Sequence, residues 1–166
     1  MRALAGALLV AIALASCGYH VVQPYRARGG ADRIHVKAFE NESADPELGA
    51  TVTAALRDEL ARRGAWAGAE APAVLEGSIG STEGAPSTPG SATFRVAVEV
   101  RARLAVQGKT VQELTVRREA DQLGGADALE SEGRRALVLR RLASDAAREL
   151  LRAIEERDEA GPVPTP

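Results

Sequence analysis

The sequence has little of the residue types that most often carry catalysis, metal binding or base stacking. It contains one cysteine, two histidines and 3% aromatic residues among 166 positions. A single cysteine excludes an internal disulfide, and no cluster of potential ligands has the spacing of a metal site. Scarce aromatics argue against stacking platforms for nucleic-acid bases. The formal net charge of -2 is close to neutral, so we expect no nucleic-acid partner.

Catalytic signatures are also missing from the chain. No Gly-x-Ser-x-Gly elbow, P-loop or Gly-x-Gly-x-x-Gly fingerprint occurs. His20 and His35 have no cysteine partner, and carboxylate pairs such as Glu155 and Glu156 fall on the solvated face of a predicted helix. We therefore expect no enzyme, no catalytic or metal-binding residues and no cofactor, and favour a binding or assembly role.

The N-terminus has the layout of a secretory signal. Met1 and Arg2 precede an unbroken run of small and apolar residues from Ala3 to Ala15. A membrane-spanning helix needs about 20 apolar residues, so this run is too short to be one. A basic start, a short apolar stretch and small residues at the cleavage point indicate a signal peptide at residues 1–16 that is removed.

The residues at the cleavage point indicate lipidation. Leu14, Ala15, Ser16 and Cys17 resemble the lipobox of bacterial lipoproteins, whose cysteine becomes the acylated mature N-terminus. The alternative is cleavage near Ala15 with a free thiol, but a lone cysteine in an exported protein needs a reason. Several acyl chains on Cys17 would hold the protein firmly on a membrane. Gly18 stands where aspartate tends to retain such lipoproteins in the inner membrane, so by resemblance we expect the periplasmic face of the outer membrane.

The remaining chain is long enough for one domain with one core. We expect a lipidated tether at residues 17–30 and a single α+β domain at residues 31–158. Residues 159–166 are rich in proline and cannot continue a helix, so we expect a disordered tail.

Hydrophobic periodicity predicts three elements in the first half of the domain. Residues 33–39 alternate as a strand, with Ile34, Val36 and Ala38 on one side and His35, Lys37 and Phe39 on the other. A helix is predicted from an Asp45 N-cap to Gly64, with Pro46 at its first position. Residues 73–79 are apolar enough for a second strand, and residues 81–91 are rich in Pro, Gly and Ser and predict a flexible loop.

The second half begins with the clearest strand pattern in the chain. Seven apolar residues alternate with mostly polar ones from Phe94 to Gln107, as in an antiparallel sheet with one solvated face. Gly108 and Lys109 are candidates for a two-residue hairpin turn to a partner strand at residues 110–118. Val111 is out of phase in that strand and predicts a bulge or a frayed start.

The last predicted element is a long helix over residues 127–157. Its apolar seam consists of Leu129, Ala136, Leu139, Ala143, Ala146, Leu150 and Ile154. At 1.5 Å per residue the helix would be about 45 Å long and could cover a whole sheet. The order β-α-β-β-β-α predicts an α+β two-layer sandwich, with two helices on one face of a mixed, mostly antiparallel sheet.

These residues resemble a known family. Cys17-Gly18-Tyr19-His20 is similar to the mature start of the LptE family of lipopolysaccharide-assembly lipoproteins. Further similarity covers most of the mature chain: Ile34-x-Val36-x-x-Phe39-x-Asn41, Leu56-x-x-Glu59-Leu60, and the stretch containing Glu132, Arg135, Leu142, Ala143, Asp145 and Ala147. The resemblance implies an outer-membrane lipoprotein that plugs and helps assemble the LptD β-barrel and takes part in lipopolysaccharide transport to the outer leaflet. The implied partners are that barrel, lipopolysaccharide and, through the lipid, the membrane.

Two other functions fit parts of the sequence. Lipoprotein activators of peptidoglycan synthases share a lipidated tether and an α/β plan but usually have a longer linker. Here about 15 residues separate Cys17 from the first strand, which gives a reach of roughly 50 Å. A periplasmic hydrolase is the third possibility, and the missing catalytic constellation argues against it.

The outward row of the long strand is the best candidate for ligand contact. Lipopolysaccharide presents phosphates beside acyl chains, and arginine can fork onto a phosphate. Arg101 and Arg103 are two residues apart and therefore point the same way. Arg95 lies further along this row, and Lys109 sits at the following turn. The alternative is a set of solvated charges that keep the sheet face wet, with Glu99 as a partner.

Overall fold

The computed structural model describes residues 25–84 and 93–155. The predicted signal peptide, the lipobox with Cys17, the Cys17–His20 motif and the tail at 159–166 lie outside these residues. The described elements are β1 (Ile34–Val36), β2 (Glu40–Asn41), α1 (Leu48–Arg62), β3 (Ala73–Gly84), β4 (Thr93–Val106), β5 (Lys109–Leu123) and α2 (Ala128–Ile154).

The strands form one open, mixed sheet with the order β1-β3-β4-β5, and β2 also pairs with β3. The short strands β1 and β2 run parallel to β3, whereas the long β3–β4 and β4–β5 pairs are antiparallel. Helix α2 packs on β4 and β5, α1 packs on β1, β2 and β3, and the two helices contact each other. The predicted α+β two-layer sandwich and its element order, with β1 and β2 together as the first strand, are confirmed.

The predicted first strand is interrupted in the structure. Ile34 and Val36 are buried as expected, but the alternation shifts beyond them, so that Ala38 is exposed and Phe39 is 5% exposed. The backbone N–H of Phe39 donates to the Thr53 hydroxyl on α1, 2.9 Å away. The predicted alternation from Arg33 to Phe39 is therefore wrong beyond Val36, because a phase change between β1 and β2 turns the Phe39 ring into the core.

Strand β4 follows the predicted alternation. Val96, Val98, Val100 and Leu104 are at most 1% exposed and belong to the core. One exception is Ala97, which was predicted on the solvated side and is only 3% exposed. It faces away from the helices between Thr82 and Glu119 on the neighbouring strands. A methyl group in the middle of a sheet is short enough to be covered by longer neighbours.

The hairpin between β4 and β5 turns one residue earlier than predicted. Its two central residues are Gln107 and Gly108, with φ angles of 51° and 77°. Positive φ at both positions is the mark of a type I′ turn, which suits the twist of the flanking strands. The pairing skips from Thr110 to Gln112, so Val111 is the extra residue of a bulge. The predicted bulge at Val111 is confirmed.

Strands β3 and β5 are longer than their apolar patterns indicated. β3 continues to Gly84, into the segment predicted as a loop, and β5 continues to Leu123. With these extensions, β3 and β5 pair along nearly the whole length of β4. The backbone N–H and C=O groups of β4 need such hydrogen-bond partners. In β5 the sequence does not show a continuous alternation of apolar and polar residues. The reason is that Arg118, a charged residue, points to the helix side, where it forms an ion pair with Glu149 of α2.

Helix α1 begins at Leu48, three residues after the predicted N-cap. The carboxylate of Asp45 accepts a hydrogen bond from the backbone N–H of Glu47 at 3.0 Å, so it stabilises the turn that leads into the helix. The predicted end is confirmed, since Gly64 follows Arg63 with a φ of 67°. The buried residues include Leu48, Val52, Leu56 and Leu60, which lie at helical spacing on one face.

Helix α2 is buried only along its second half. Asp127 is the N-cap, and its side chain accepts from the Glu130 N–H at 2.8 Å. The core begins at Leu139 and includes Leu142, Ala143, Ala146, Ala147, Leu150, Leu151 and Ile154. Leu129 is 84% exposed and Ala136 is only half-buried, so their assignment to the seam is wrong. The first turns of the helix therefore lie outside the core.

The folded domain also includes residues assigned to the tether. Tyr25 and Ala27 are buried, and Ala27 pairs with Ala31 and Glu155. The Tyr25 hydroxyl donates to the Leu151 carbonyl at 3.1 Å, and Arg63 lies 5.4 Å from the centre of its ring. Burial raises the pKa of Tyr25 far above its usual value, so the hydroxyl stays protonated. Only residues 18–24 lie between Cys17 and the buried Tyr25.

Candidate ligand-binding face

The sheet face opposite the helices carries the predicted arginine row. Arg95, Arg101 and Arg103 alternate with core residues of β4 and are exposed on this face. Lys109 is exposed as the first residue of β5, directly after the hairpin turn. The β-strand pleat separates this row from the core, because neighbouring side chains point to opposite faces. The structure thus places the three arginines in one row along β4, with Arg95 six residues from Arg101. Lys109 does not join this row, because it lies opposite Val106, whose side chain packs on the helix side of the sheet.

Strand pairing brings Arg103 together with residues that are distant in the sequence. Glu76 of β3 lies opposite Arg103, and the Arg103 Nε donates to Glu76 Oε1 at 3.1 Å. The Nζ of Lys37 reaches Glu76 Oε2 at 2.7 Å. Hydrogen bonds from Lys37 and then Arg103 lower the pKa of Glu76, and the same carboxylate raises the pKa of Arg103. One carboxylate therefore holds two cations at the edge of the face.

Arg101 and Arg95 each have carboxylate partners as well. The guanidinium of Arg101 donates from Nε and Nη2 to Glu99 Oε1, at 2.9 and 2.7 Å, and lies 3.6 Å from Glu42. Arg95 Nε lies 3.1 Å from Asp121 on β5, and this hydrogen bond raises the pKa of Arg95. The expected partnership with Glu99 is present for Arg101. Lys109 forms no ion pair within the part of the chain that the structure describes.

A shallow groove of about 770 Å³ runs between these charges. Its walls carry Lys37, Glu76, Arg101 and Arg103, and its floor includes Ser78 and Thr115. A smaller groove of about 240 Å³ lies beside it, around Gly80 and Thr82, and Arg101 lines both. Small residues at the centre of the face leave this space open, because long side chains there would fill it.

The close approach of two strands also shapes this region. A Cβ atom added to Gly77 would lie 2.0 Å from the Arg101 carbonyl oxygen, whereas one added to Gly80 would meet nothing within 4 Å. Only glycine fits the backbone at position 77 without movement. Gly77 therefore keeps the backbone that carries Arg101 close to β3, at the floor of the larger groove.

Sequence reasoning missed Lys37, Glu76 and Thr115 as members of this face. The alternation of β1 indicates that Lys37 points outward, so the sequence could have included it in this face. The neighbours of Lys37, however, depend on strand pairing. Lys37 and Glu76 are 39 residues apart in the chain. Only the parallel pairing of β1 with β3 and the antiparallel pairing of β3 with β4 make them neighbours of Arg103.

The groove can accept an anionic group that replaces a carboxylate as the partner of an arginine. Ion pairs between exposed side chains contribute about 0–1 kcal/mol each, so a phosphate can displace a carboxylate at small cost. Arginine offers a rigid fork of donors that suits phosphate oxygens. Glu76 and Glu99 lie among the cations and repel an anion. A bound anion must therefore lie nearer to the guanidinium groups than to these two carboxylates.

The same face has no metal site among the residues that the structure describes, because no three His, Cys, Asp or Glu side chains cluster there or elsewhere in residues 25–84 and 93–155. Neither of the two described helices is both long and apolar enough to cross a membrane.

Comparison with solved structures defines the class of fold. A lipoprotein from Caulobacter crescentus CB15 is 18% identical with a TM-score of 0.52, covering 70% of this chain and 87% of that one. Rare lipoprotein B from Shewanella oneidensis is 18% identical with a TM-score of 0.54, covering 69% and 91%. PelC from Paraburkholderia phytofirmans, a dodecamer, is 19% identical with a TM-score of 0.52, covering 76% and 90%. The fold is thus one found in bacterial lipoproteins. No curated protein matches the sequence.

The family model for LptE, lipopolysaccharide-assembly, matches residues 31–154. The match covers both helices and all five strands that the structure describes. The chain belongs to the LptE family and is a lipopolysaccharide-assembly lipoprotein of the bacterial envelope. This family is not enzymatic and does not depend on a cofactor.

Proposed function

We propose that the protein is anchored in the periplasmic leaflet of the outer membrane through lipidated Cys17 and plugs an LptD-type β-barrel. In that position it helps the barrel to assemble and takes part in lipopolysaccharide transport to the outer leaflet. The observation that supports the proposal most strongly is the family match over residues 31–154, which includes both the sheet layer and the helix layer. The short segment between Cys17 and Tyr25 supports it, because the domain must then work close to the membrane.

The arginine row is the proposed contact with lipopolysaccharide or with the barrel wall. Both helices cover the opposite face of the sheet, so the outward face is free for a partner. Arg101 and Arg103 line the groove from one strand, and Arg95 lies further along the same row. Their exposed ion pairs can open at small cost for phosphate groups.

The partner is tested by affinity purification of the full-length protein from outer membranes. We expect an LptD-sized barrel to co-purify with it. A Cys17→Ala precursor should not label with palmitate and should be lost from outer-membrane fractions. Co-purification of a peptidoglycan synthase in place of a barrel, or palmitate labelling of the alanine variant, would contradict the proposal.

The contact face is tested with the double variant Arg101→Glu and Arg103→Glu. Reversing two charges should weaken capture of lipopolysaccharide about tenfold or more, since a hydrogen bond to a charged group is worth about 1.5–3 kcal/mol. The matched control is Arg140→Glu with Arg141→Glu, which makes the same change of charge at exposed residues of α2. Unchanged capture by the first variant, at an unchanged melting temperature, would remove this face from the site.

A further inference from the structure

Strand β5 is the long free edge of the sheet. Within the described residues, the order β1-β3-β4-β5 leaves one side of β5 without a neighbouring strand. The opposite edge, β1, has only three residues, and Trp66 forms a backbone bridge to it. Alternate residues of an antiparallel edge strand direct their backbone N–H and C=O groups away from the sheet. Because β5 has 15 residues, its free edge offers such groups over a long distance.

The side chains of β5 restrict which strand can pair with this edge. On the outward face Glu113, Thr115 and Arg117 follow one another, and all three are exposed. On the helix side Leu114 and Val116 alternate with them and belong to the core or pack against it. A favourable antiparallel neighbour places an opposite charge against each charge and an apolar side chain against each apolar one. The sequence of β5 itself meets both conditions.

A second copy of the chain fits this edge in one register about a two-fold axis. With Thr115 opposite the same residue of the second copy, Glu113 of each copy lies opposite Arg117 of the other. In the same register Leu114 lies opposite Val116, so apolar side chains of both copies meet on the helix side. A two-fold axis repeats every contact, which gives two ion pairs and two apolar pairs.

Neighbouring registers lose these pairs or bring like charges together. An axis at Val116 would place Glu113 opposite Glu119 twice. An axis at Arg117 or at Arg118 would place that guanidinium opposite its own copy. A shift of one residue in the other direction would lose both ion pairs. Charges on an edge strand usually oppose pairing, but here they select a single register.

The segment also contains a side chain whose hydrogen bonds are incomplete in one copy. Gln112 donates from Nε2 to the Ala153 carbonyl at 3.3 Å, whereas its Oε1 is buried and has no hydrogen-bond partner within the described residues. In the Thr115 register, Gln112 lies opposite Arg118 of the second copy. Arg118 forms an ion pair with Glu149 of its own copy, and a guanidinium has five N–H donors. The pairing therefore brings a donor to the side of β5 where an acceptor lacks one.

We propose that the free lipoprotein forms a two-fold homodimer in which β5 pairs with β5 of a second copy, with Thr115 at the axis. The two sheets join into one, and the helices of both copies lie on the same face. The groove on the outward face stays open. This inference goes beyond the proposed function and does not rest on it. The dimer is the form of the protein outside a barrel, so a copy that plugs an LptD-type barrel has left it.

A disulfide across the axis tests the register directly. Opposite residues of antiparallel strands have Cα atoms about 4.5–5.5 Å apart, which a disulfide can bridge. The experiment uses the mature lipidated protein in detergent, without a barrel and under oxidation. Thr115→Cys should link about half or more of the chains into dimers, because the two thiols face each other. Glu119→Cys is the matched control and should link about tenfold fewer, since its two thiols would be about 26 Å apart.

A charge exchange tests the ion pairs in the Thr115→Cys background. Glu113→Arg places a second cation opposite Arg117 and should lower the linked dimer about tenfold. Glu113 forms no ion pair among the residues that the structure describes, so this change breaks none within one copy. Arg117 donates from Nε to Glu119 at 2.7 Å and keeps further donors for a second carboxylate. Adding Arg117→Glu to Glu113→Arg restores opposite charges and should restore the dimer.

Several results would overturn the homodimer. Equal linking by Thr115→Cys and Glu119→Cys would overturn the register. A single chain per particle for the wild type, measured by sedimentation equilibrium, would overturn the pairing even if the Thr115→Cys variant failed to fold. A loss with Glu113→Arg that Arg117→Glu does not reverse, at unchanged melting temperatures, would overturn the proposed ion pairs.

The proposed function fails in a different way. Cys17 is the only cysteine of the chain. A disulfide-linked dimer of the wild type would reveal a free thiol there and contradict lipidation, and the register is then measured in a Cys17→Ala background. Affinity purification that brings down no barrel would contradict the plug and leave the homodimer in place.

Discussion

The two faces of strand β4 lie in opposite environments, one in the core and one in water. On the helix side, Val98 and Val100 are fully buried, and a side chain of this kind contributes roughly 1.5–3 kcal/mol by leaving water. On the outward side, Arg101 and Arg103 form exposed ion pairs, which are screened by water and contribute little to stability. The inner face therefore holds the fold together, and the outer face can change its partners without endangering it.

A charge placed on each face should separate them most sharply. Val98→Asp buries an unpaired carboxylate and should cost several kcal/mol, a large part of the about 5–15 kcal/mol that stabilises a typical domain. Ala97→Asp should cost about 1–2 kcal/mol, because its carboxylate can reach water on the outward face but lies opposite Glu119. Thermal melts followed by circular dichroism give the two values, and equal melting temperatures would contradict the assignment of the faces.

The second comparison concerns two glycines of β3. Gly77→Ala should destabilise the domain by about 1–3 kcal/mol, because its Cβ would collide with the Arg101 backbone. Gly80→Ala, where a Cβ meets nothing within 4 Å, should stay within about 1 kcal/mol of the wild type. Urea denaturation of both variants gives the two free energies of unfolding. If Gly80→Ala were the more harmful change, the strand contact at Gly77 would not have the proposed importance.

The smallest effect is expected on the outward face itself. Glu76→Gln removes the carboxylate shared by Lys37 and Arg103, and should change stability at neutral pH by less than about 1 kcal/mol. The pKa of Glu76 is lowered in the folded protein, so its contribution is complete above 4.5 and is lost as pH falls through the folded pKa. Melts from pH 7 to 3 should show the two proteins converging in acid. A difference that persists at pH 3 would assign the effect to packing.

Much of the architecture could be predicted because it depends on local sequence. The alternation of β4 reports directly on which side chains are buried, and Gly64 marks a helix end through its positive φ. The out-of-phase Val111 predicted a bulge within its own strand. In each case the signal and the structure involve residues within a few positions of each other.

The errors arose where distant parts of the chain decided the outcome. Leu129 fits the apolar seam of α2, but no core side chain covers it, and it is 84% exposed. Phe39 is buried because a break between β1 and β2 redirects it toward Thr53. Tyr25 was assigned to a tether, yet its hydroxyl finds a partner on the last turn of α2, 126 residues away.

The sequence by itself determined the class of fold, the positions of both helices and the outward direction of Arg95, Arg101 and Arg103, because periodicity and caps act over a few residues. Tertiary structure decided that Glu76 joins Lys37 to Arg103, and that Tyr25 meets the last turn of α2. Strand register and helix packing set these neighbourhoods, and both depend on the total burial of apolar surface rather than on any local pattern.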